Sequence, residues 1–305
     1  MGIDKFYRRG VFPAISVGGL EFESGAYPIA GKTYYVSKQG NDSNGLNWKN
    51  AFTTLVAAIA VSNIYVDTHL NVWNRIYVDG GNYTESLVIF PKHCEMIGVG
   101  VPSDGPRVNA STVLTTAVDC CHIYNMQFRT STAAPIVKIP AGSAGAWFVN
   151  CIFSCVSGIQ PTIGLEIGNF GAYNKIINCK FQGNPSTTTG IQFDGQNSPF
   201  NDIIGNFISA ITTGILFASD NGASYSDYQT YIKENVICRT DPNSSSQLVI
   251  GIDIQDTQSR SDLMTIRNYI AAATAIHDAG TKNVNNHIAN EVVEATVANK
   301  ETKYS

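Results

Sequence analysis

Two short patterns alternate along residues 120–290, and their spacing limits the possible folds more than any other feature of the chain. The first sets an asparagine among apolar residues: HIYNMQF from His122, WFVNCIF from Trp147, KIINCKF from Lys175, DIIGNFI from Asp202, YIKENVI from Tyr231 and LMTIRNYI from Leu263. The second reads Gly-apolar-x-apolar: GLEI at Gly164, GIQF at Gly190, GILF at Gly214, GIDI at Gly251, with a variant AIHD at Ala275. Aligned on Asn125, Asn150, Asn178, Asn206, Asn235 and Asn268, the first pattern recurs after 25, 28, 28, 29 and 33 residues. The second recurs after 26, 24, 37 and 24. Two ladders with one shared period are the mark of a solenoid.

Each unit holds two or three runs of four to seven residues rich in Ile, Phe and Val, separated by Gly, Asn, Ser, Thr and Pro. That is strand-and-turn chemistry. No unit contains the ten or more helically spaced residues that a βαβ crossover requires. The coils must therefore stack strand on strand, as in a right-handed parallel β-helix with a rise of roughly 4.8 Å per coil. Alternation along the Gly-led strands puts Leu165, Ile191, Ile215, Ile252 and Ile276 in one inward row, and Ile167, Phe193, Phe217 and Ile254 in the next. The row between them points outward: Glu166, Gln192, Leu216, Asp253 and His277. The asparagines are expected to hydrogen-bond along the stack at a bend, with Cys151 and Cys179 packed beside them as small hydrophobes.

Charged residues are only 14% of the chain, against 44% hydrophobic, and an average domain carries roughly 25% charge. The exterior must then be covered by Asn, Ser, Thr and Gly, which suits a solenoid. A net charge of −4 leaves no electrostatic footprint for nucleic acid. Seven cysteines make an odd and sparse set, expected to be reduced core residues, with Cys120 and Cys121 or Cys151 and Cys155 as the conceivable pairs. No apolar run is long enough to span a bilayer and no secretory segment is read at the start. The expectation is a protein assembled in the cytoplasm, so the Asn-x-Ser/Thr triplets at Asn41, Asn82 and Asn109 carry no meaning.

Residues 1–31 do not repeat. Lys5, Arg8 and Arg9 lie beside Phe6, Tyr7 and Phe12, a composition that fits either an arm docking on a larger assembly or a self-packing leader. From Lys32 the chain reads KTYYVSKQGNDSNGLNWKNAFTTLVAAIA, a strand, a polar loop and a helix over about residues 50–62. Phe52, Leu55, Val56 and Ile59 share one helical face, with Asn50 as N-cap and Asn63 as stop. This face is expected to plug the open end of the β-helix core. RIYVDGGNYTESLVIFPKHCEMIGVG then gives strands at Ile76 to Val78, Leu87 to Phe90 and Met96 to Val99.

The order YYVS, a Gly-Asn-Asp-Ser loop, Trp48, a helix, IYVDGGNYTESL and IGVG resembles the N-terminal part of the pectin-lyase-like right-handed parallel β-helix superfamily. The resemblance runs over Lys32 to Gly100, and the repeats carry it to Asn290. It implies an all-β single-domain solenoid, residues 32–290, between a non-repeating arm and a tail, 291–305, that caps the last coil or joins a subunit contact. It leaves activity open, because such helices resemble polysaccharide lyases, glycoside hydrolases, bacteriophage tailspikes and non-enzymatic virion proteins alike.

A hydrolase needs two carboxyls about 5 Å or 6.5–9.5 Å apart. Glu166 and Asp253, three coils apart, are too distant; Glu166 with Asp194 forms a diagonal candidate, and Asp253 with His277 an acid/base candidate. A lyase needs clustered carboxylates for Ca²⁺ beside an Arg or Lys base, and no outward row combines them. Cys151 and Cys155 have CxxxC spacing, better explained by a core and a turn than by a metal. The 37-residue step between Gly214 and Gly251 carries the insertions SDNGASYSDYQT and RTDPNSSSQ. There Tyr225, Tyr228 and Tyr231 are candidates for stacking on sugar rings, and Asp220 and Asp227 for bonding hydroxyls, beside the plainer reading of a solvated loop.

With no catalytic constellation, cofactor or metal to place, the expected function is structural and non-enzymatic. The best match is a capsid decoration or tail-appendage subunit of a tailed bacteriophage, anchored by its arm to other virion proteins and forming a homo-oligomer such as a trimer. The alternatives are a tailspike-like depolymerase, or a glycan-binding adhesin, acting on host surface polysaccharide.

Overall fold

The structure, a computed structural model, describes residues 15–17, 20–22, 29–69, 72–100, 105–169, 171–182, 187–194, 200–218, 230–239, 248–255, 263–279, 286–288 and 290–293. The repeating strand-and-turn units form the coils of a single parallel β-helix. Sheet 1 has ten strands in parallel register, from Ile29–Val36 through Cys121–Tyr124, Trp147–Val149, Lys175–Ile177, Asp202–Ile204 and Tyr231–Lys233 to Asn286–Ile288. Sheet 2 runs from Gly81–Tyr83 to Glu291–Val293, and sheet 3 from Thr112–Val113 to the later part of Tyr269–Asp278. Sheets 2 and 3 merge where Phe207–Phe217 and Tyr269–Asp278 pass through the corner without a break. Each strand is followed one coil later by a parallel partner in its own sheet.

The predicted inward rows are the core. Leu165, Ile191, Ile215 and Ile252 pair in sequence across sheet 3, and all are fully buried. Side chains of one type stack coil on coil: Phe153 on Phe181 at 4.5 Å and 1°, and Phe193 on Phe217 at 4.7 Å and 2°. Each such burial contributes about 1.5–3 kcal/mol. The Gly-led pattern has a steric cause. A Cβ on Gly190 would lie 2.5 Å from the Gly214 carbonyl oxygen, and one on Gly214 would lie 2.5 Å from that of Gly251. In these coils the corner between sheets 2 and 3 leaves no room for a Cβ, although the same row holds Ile136 in the coil before Gly164 and Ala275 in the coil after Gly251.

The aligned asparagines are not one ladder but two adjacent rows. Asn125, Asn150 and Asn178 have φ of 56°, 55° and 53° and make the bend itself, a position taken in later coils by Gly205, Glu234 and Arg267. Asparagine and glycine suit that left-handed conformation. The next row inward is Cys151, Cys179, Asn206, Asn235, Asn268 and Asn290. Here the amides form a chain. Asn206 donates its backbone N–H and its Nδ2 to Asn235 Oδ1, both at 2.9 Å, and Asn235 does the same to Asn268 at 3.0 and 2.9 Å. Each Nδ2 also donates to a carbonyl of the preceding coil, that of Ile176, Ile203 or Ile232. A second chain was not anticipated: the Asn174 N–H and Nδ2 both donate to Asn201 Oδ1, at 2.9 and 3.0 Å.

Two expectations at the N-terminal end, the helix and one strand, are corrected. Helix α1 is Leu55–Thr68, capped by Thr54, whose side chain accepts from the Ala57 N–H. Asn50 instead ends a 3-10 turn, Trp48–Asn50, and Asn63 lies inside the helix, where its side chain accepts from the Lys92 N–H. Leu55, Ala58, Ile59 and Ser62 are the buried face, while Val56 is exposed and Phe52 forms a bridge with Val36. Buried Asn74 ties the helix down by donating to the Ser62 carbonyl and hydroxyl, each at 3.0 Å. Leu87 to Phe90 is not a strand, although Leu87 and Phe90 reach the core. The region read as a docking arm or a self-packing leader holds an antiparallel pair, Ile15–Val17 with Leu20–Phe22.

None of the seven cysteines is in a disulfide. Cys151 and Cys155 lie four residues apart on extended chain, roughly 13 Å by strand rise, beyond disulfide reach. Cys120 and Cys121 are consecutive, the second buried and the first only partly so. The solenoid also runs past residue 290, since Glu291–Val293 pairs with Tyr269–Ala271.

Candidate functional site

Sheet 1 presents an outward column whose members differ from coil to coil: His122, Trp147, Lys175, Asp202 and Tyr231 stand in register. Beside it runs the turn that enters each strand. That turn is left-handed in the first four of these coils, with φ of 50° at Cys120, 67° at Gly145, 58° at Tyr173 and 59° at Phe200, and in the coil before them, with φ of 40° at His93. Glycine takes this conformation freely, whereas a bulky aromatic does so at a cost of about 1–3 kcal/mol. Tyr173 and Phe200 nevertheless occupy it, with rings stacked at 4.9 Å and 7° and both exposed, Tyr173 by 56%.

Column and turn together line an open groove of about 420 Å³, bounded by Cys120, His122, Trp147, Tyr173, Lys175, Phe200, Asp202 and Tyr231. His122 lies flat on Trp147 at 3.7 Å and 6°, and Trp73 leans against His122. The Trp147 indole is fixed by donating its Nε1–H to the Tyr173 carbonyl at 3.2 Å. Lys175 Nζ sits 4.7 Å above the Trp147 ring and 3.3 Å from Asp202 Oδ2. Burial lowers the His122 pKa from 6.5 to about 4, so its ring is neutral at pH 7 and offers one donor and one acceptor. Flat apolar faces beside a cation, a carboxylate and a neutral imidazole can hold a ligand having both C–H surfaces and hydroxyls.

The row expected to face outward on sheet 3 keeps its register, Glu166, Gln192, Leu216, Asp253 and His277, but Glu166 and Asp253 are buried. His277 Nδ1 is 2.7 Å from Asp253 Oδ1, and Gln255 donates to the other Asp253 oxygen at 2.8 Å. Glu166 is not brought to Asp194. Its buried carboxylate is paired with Lys138, while Asp194 is exposed. Glu166 and Asp253 remain three coils apart, about 14 Å at the strand spacing, so this row holds no hydrolytic carboxyl pair. Lys5, Phe6, Tyr7, Arg8, Arg9 and Phe12 lie outside the described residues, as do Tyr225, Asp227, Tyr228 and Asp220. Tyr231 alone of that insertion set is described, and it stands at the groove.

Among the described residues one set of side chains has metal-ligand geometry, His93, Asp119 and Cys120, and no helix is long and apolar enough to cross a membrane. The sequence reading took its outward row from the Gly-led strands and passed over the column on sheet 1. Its signal was present: YNKII at Tyr173 and FNDII at Phe200 repeat an aromatic, an asparagine and a charge ahead of an apolar pair.

No protein-family model matches the chain, and no curated protein matches it. Among solved structures it is similar to the pectate lyase Pel9A, with 15% identity and a TM-score of 0.52 over 91% of this chain and 80% of that one. A rhamnogalacturonan lyase matches with 12% identity and a TM-score of 0.40 over 80% and 75%. The fold is a parallel β-helix, shared with that pectate lyase.

Proposed function

Taking the chain as a pectin-lyase-like parallel β-helix, we propose that it is a glycan-binding protein that recognises polysaccharide along the groove of sheet 1 without cleaving it. The observation that carries this reading is the exposed Tyr173–Phe200 stack, held in a backbone conformation that costs stability and supplies no core packing. Strain of this kind persists where a site needs it. Pyranose rings present apolar C–H faces to aromatic side chains, and their hydroxyls suit Lys175, Asp202 and His122. The wide separation of Glu166 and Asp253 favours binding over hydrolysis.

The setting we propose is a virion of a tailed bacteriophage, with the chain as a decoration or tail-appendage subunit that meets host surface polysaccharide. Its support is the basic and aromatic composition of residues 5–12 and the sparse surface charge. Deleting residues 2–14, ahead of the first strand, should abolish incorporation into particles while the solenoid still folds. Normal incorporation would refute the docking arm.

The groove is tested with purified bacterial surface polysaccharides in a binding assay run beside an assay for reducing-end release. Binding without release is expected, and Trp147→Ala should weaken it roughly tenfold or more, as loss of a central aromatic anchor does. Tyr173→Gly and Phe200→Gly separate function from folding. Both should bind more weakly, yet melt no lower than the parent, because glycine relieves the left-handed strain. Undiminished binding in all three variants would overturn the reading. Release of reducing ends that is lost in Asp194→Ala or Asp253→Ala would establish the depolymerase instead.

A further inference from the structure

One turn above the groove, His93, Asp119 and Cys120 bring an imidazole, a carboxylate and a thiol to one point. Their ligand atoms all lie within 4.8 Å of one another, and His93 Nε2 is 3.5 Å from Asp119 Oδ1. A tetrahedral ion with bonds of about 2.0 Å to N and O and 2.3 Å to S holds its ligand atoms roughly 3.3–3.5 Å apart. One of the separations therefore already fits, and ordinary side-chain rotation supplies the rest.

The placement is built by the solenoid. Cys94 and Cys121 are in register, so His93 and Cys120 occupy the same turn on successive coils. The backbone ladder locks them together, with the His93 N–H donating to the Asp119 carbonyl at 3.0 Å and the Cys94 N–H to that of Cys120 at 3.2 Å. Both residues take the left-handed conformation, which turns them outward, and Trp73 stacks on the His93 ring at 5.9 Å and 21°. In the next coil the row holds Gly145, where a Cβ would stand 3.3 Å from Cys120 Sγ, so no side chain of that coil covers the thiol. His93 and Asp119 are 38% and 57% exposed, which leaves a path for an ion to enter. Nothing in the core requires these three groups.

We propose that His93, Asp119 and Cys120 form a three-ligand site for a borderline transition-metal cation of the Zn²⁺ class, with its fourth position open toward the groove. The donor set decides the class: thiolate and imidazole favour Zn²⁺ or Co²⁺, whereas Ca²⁺ and Mg²⁺ take oxygen ligands. Cys120 loses its proton to solvent as the metal–sulfur bond forms. Because Cys120 also lines the groove, the ion would present a Lewis-acidic position at one end of it. Metal binding itself does not depend on the groove's being a glycan site.

The test is titration of the full-length, reduced protein with Zn²⁺ against a chromophoric chelator, and with Co²⁺ by absorption. One equivalent should bind, and the Co²⁺ form should show a thiolate-to-metal charge-transfer band. Asp119→Asn and Cys120→Ser should each weaken Zn²⁺ binding at least about tenfold, and Cys120→Ser should abolish the band. Cys238→Ser, at the other partly exposed cysteine, should change neither. Asp119→Asn is isosteric and keeps the test decisive if Cys120→Ser fails to fold. Absence of saturable binding in the parent, or binding unchanged in both ligand variants, overturns the proposal.

Discussion

Asparagine does two physically different jobs one position apart in this chain, and a sequence pattern does not separate them. At Asn178 the requirement is on the backbone, and glycine or asparagine meets it. At Asn235 the requirement is on the side chain. Its Oδ1 accepts two bonds from Asn206, and its Nδ2 donates to Asn268 and to the Ile203 carbonyl, all in the buried interior. Asn235→Leu has similar size but strands those partners without water, and each unsatisfied buried group costs about 1–3 kcal/mol. It should therefore destabilise by about 2–4 kcal/mol, whereas Asn178→Gly should stay within about 1 kcal/mol. Urea unfolding midpoints of the two variants check this. Equal losses would mean that the two rows had been wrongly divided. The single-ladder alignment failed here because both asparagines sit among the same apolar neighbours, and only hydrogen-bond direction tells them apart.

Among the elements, the corner between sheets 2 and 3 is the most legible and the helix the least. The Gly-led strands announced their faces through strict alternation, and register then followed from the period. Why glycine leads them depends on distances that no pattern contains. Gly214→Ala would bring a Cβ to 2.3 Å from Ile237 Cγ2 and 2.5 Å from the Gly251 carbonyl oxygen. Such overpacking costs about 1–3 kcal/mol, and the backbone partner cannot yield as a side chain can. Gly142→Ala meets nothing within 4 Å and suffers only from its φ of +74°, a cost of about 1 kcal/mol. Thermal melts should therefore place Gly214→Ala below Gly142→Ala, and the reverse order would remove the steric account of the corner. Helix α1 was misplaced by several residues because Phe52 belongs to a bridge with Val36, a contact made by tertiary packing. Its caps depend on side-chain direction: Thr54 accepts a helix N–H, while Asn63 turns to Lys92.

At the level of the whole molecule, the solenoid was readable because one period governs every coil, and the register of the sheet 3 row followed from alternation alone. The groove was not readable by that route. Its members His122, Trp147, Lys175, Asp202 and Tyr231 mix rings with charges, so no one residue type marks the column and the stacking of coils makes them a set. Stacking also fixes their pitch. The column advances by about 4.8 Å per strand, close to the length of one sugar residue in an extended chain. A polymer laid along the axis meets a new contact at nearly every residue, as marks on a rule meet the divisions of a second rule. Small differences in linkage length would accumulate over five coils until polymer and protein fell out of step, so a groove that binds glycan as proposed would gauge repeat length as well as sugar identity.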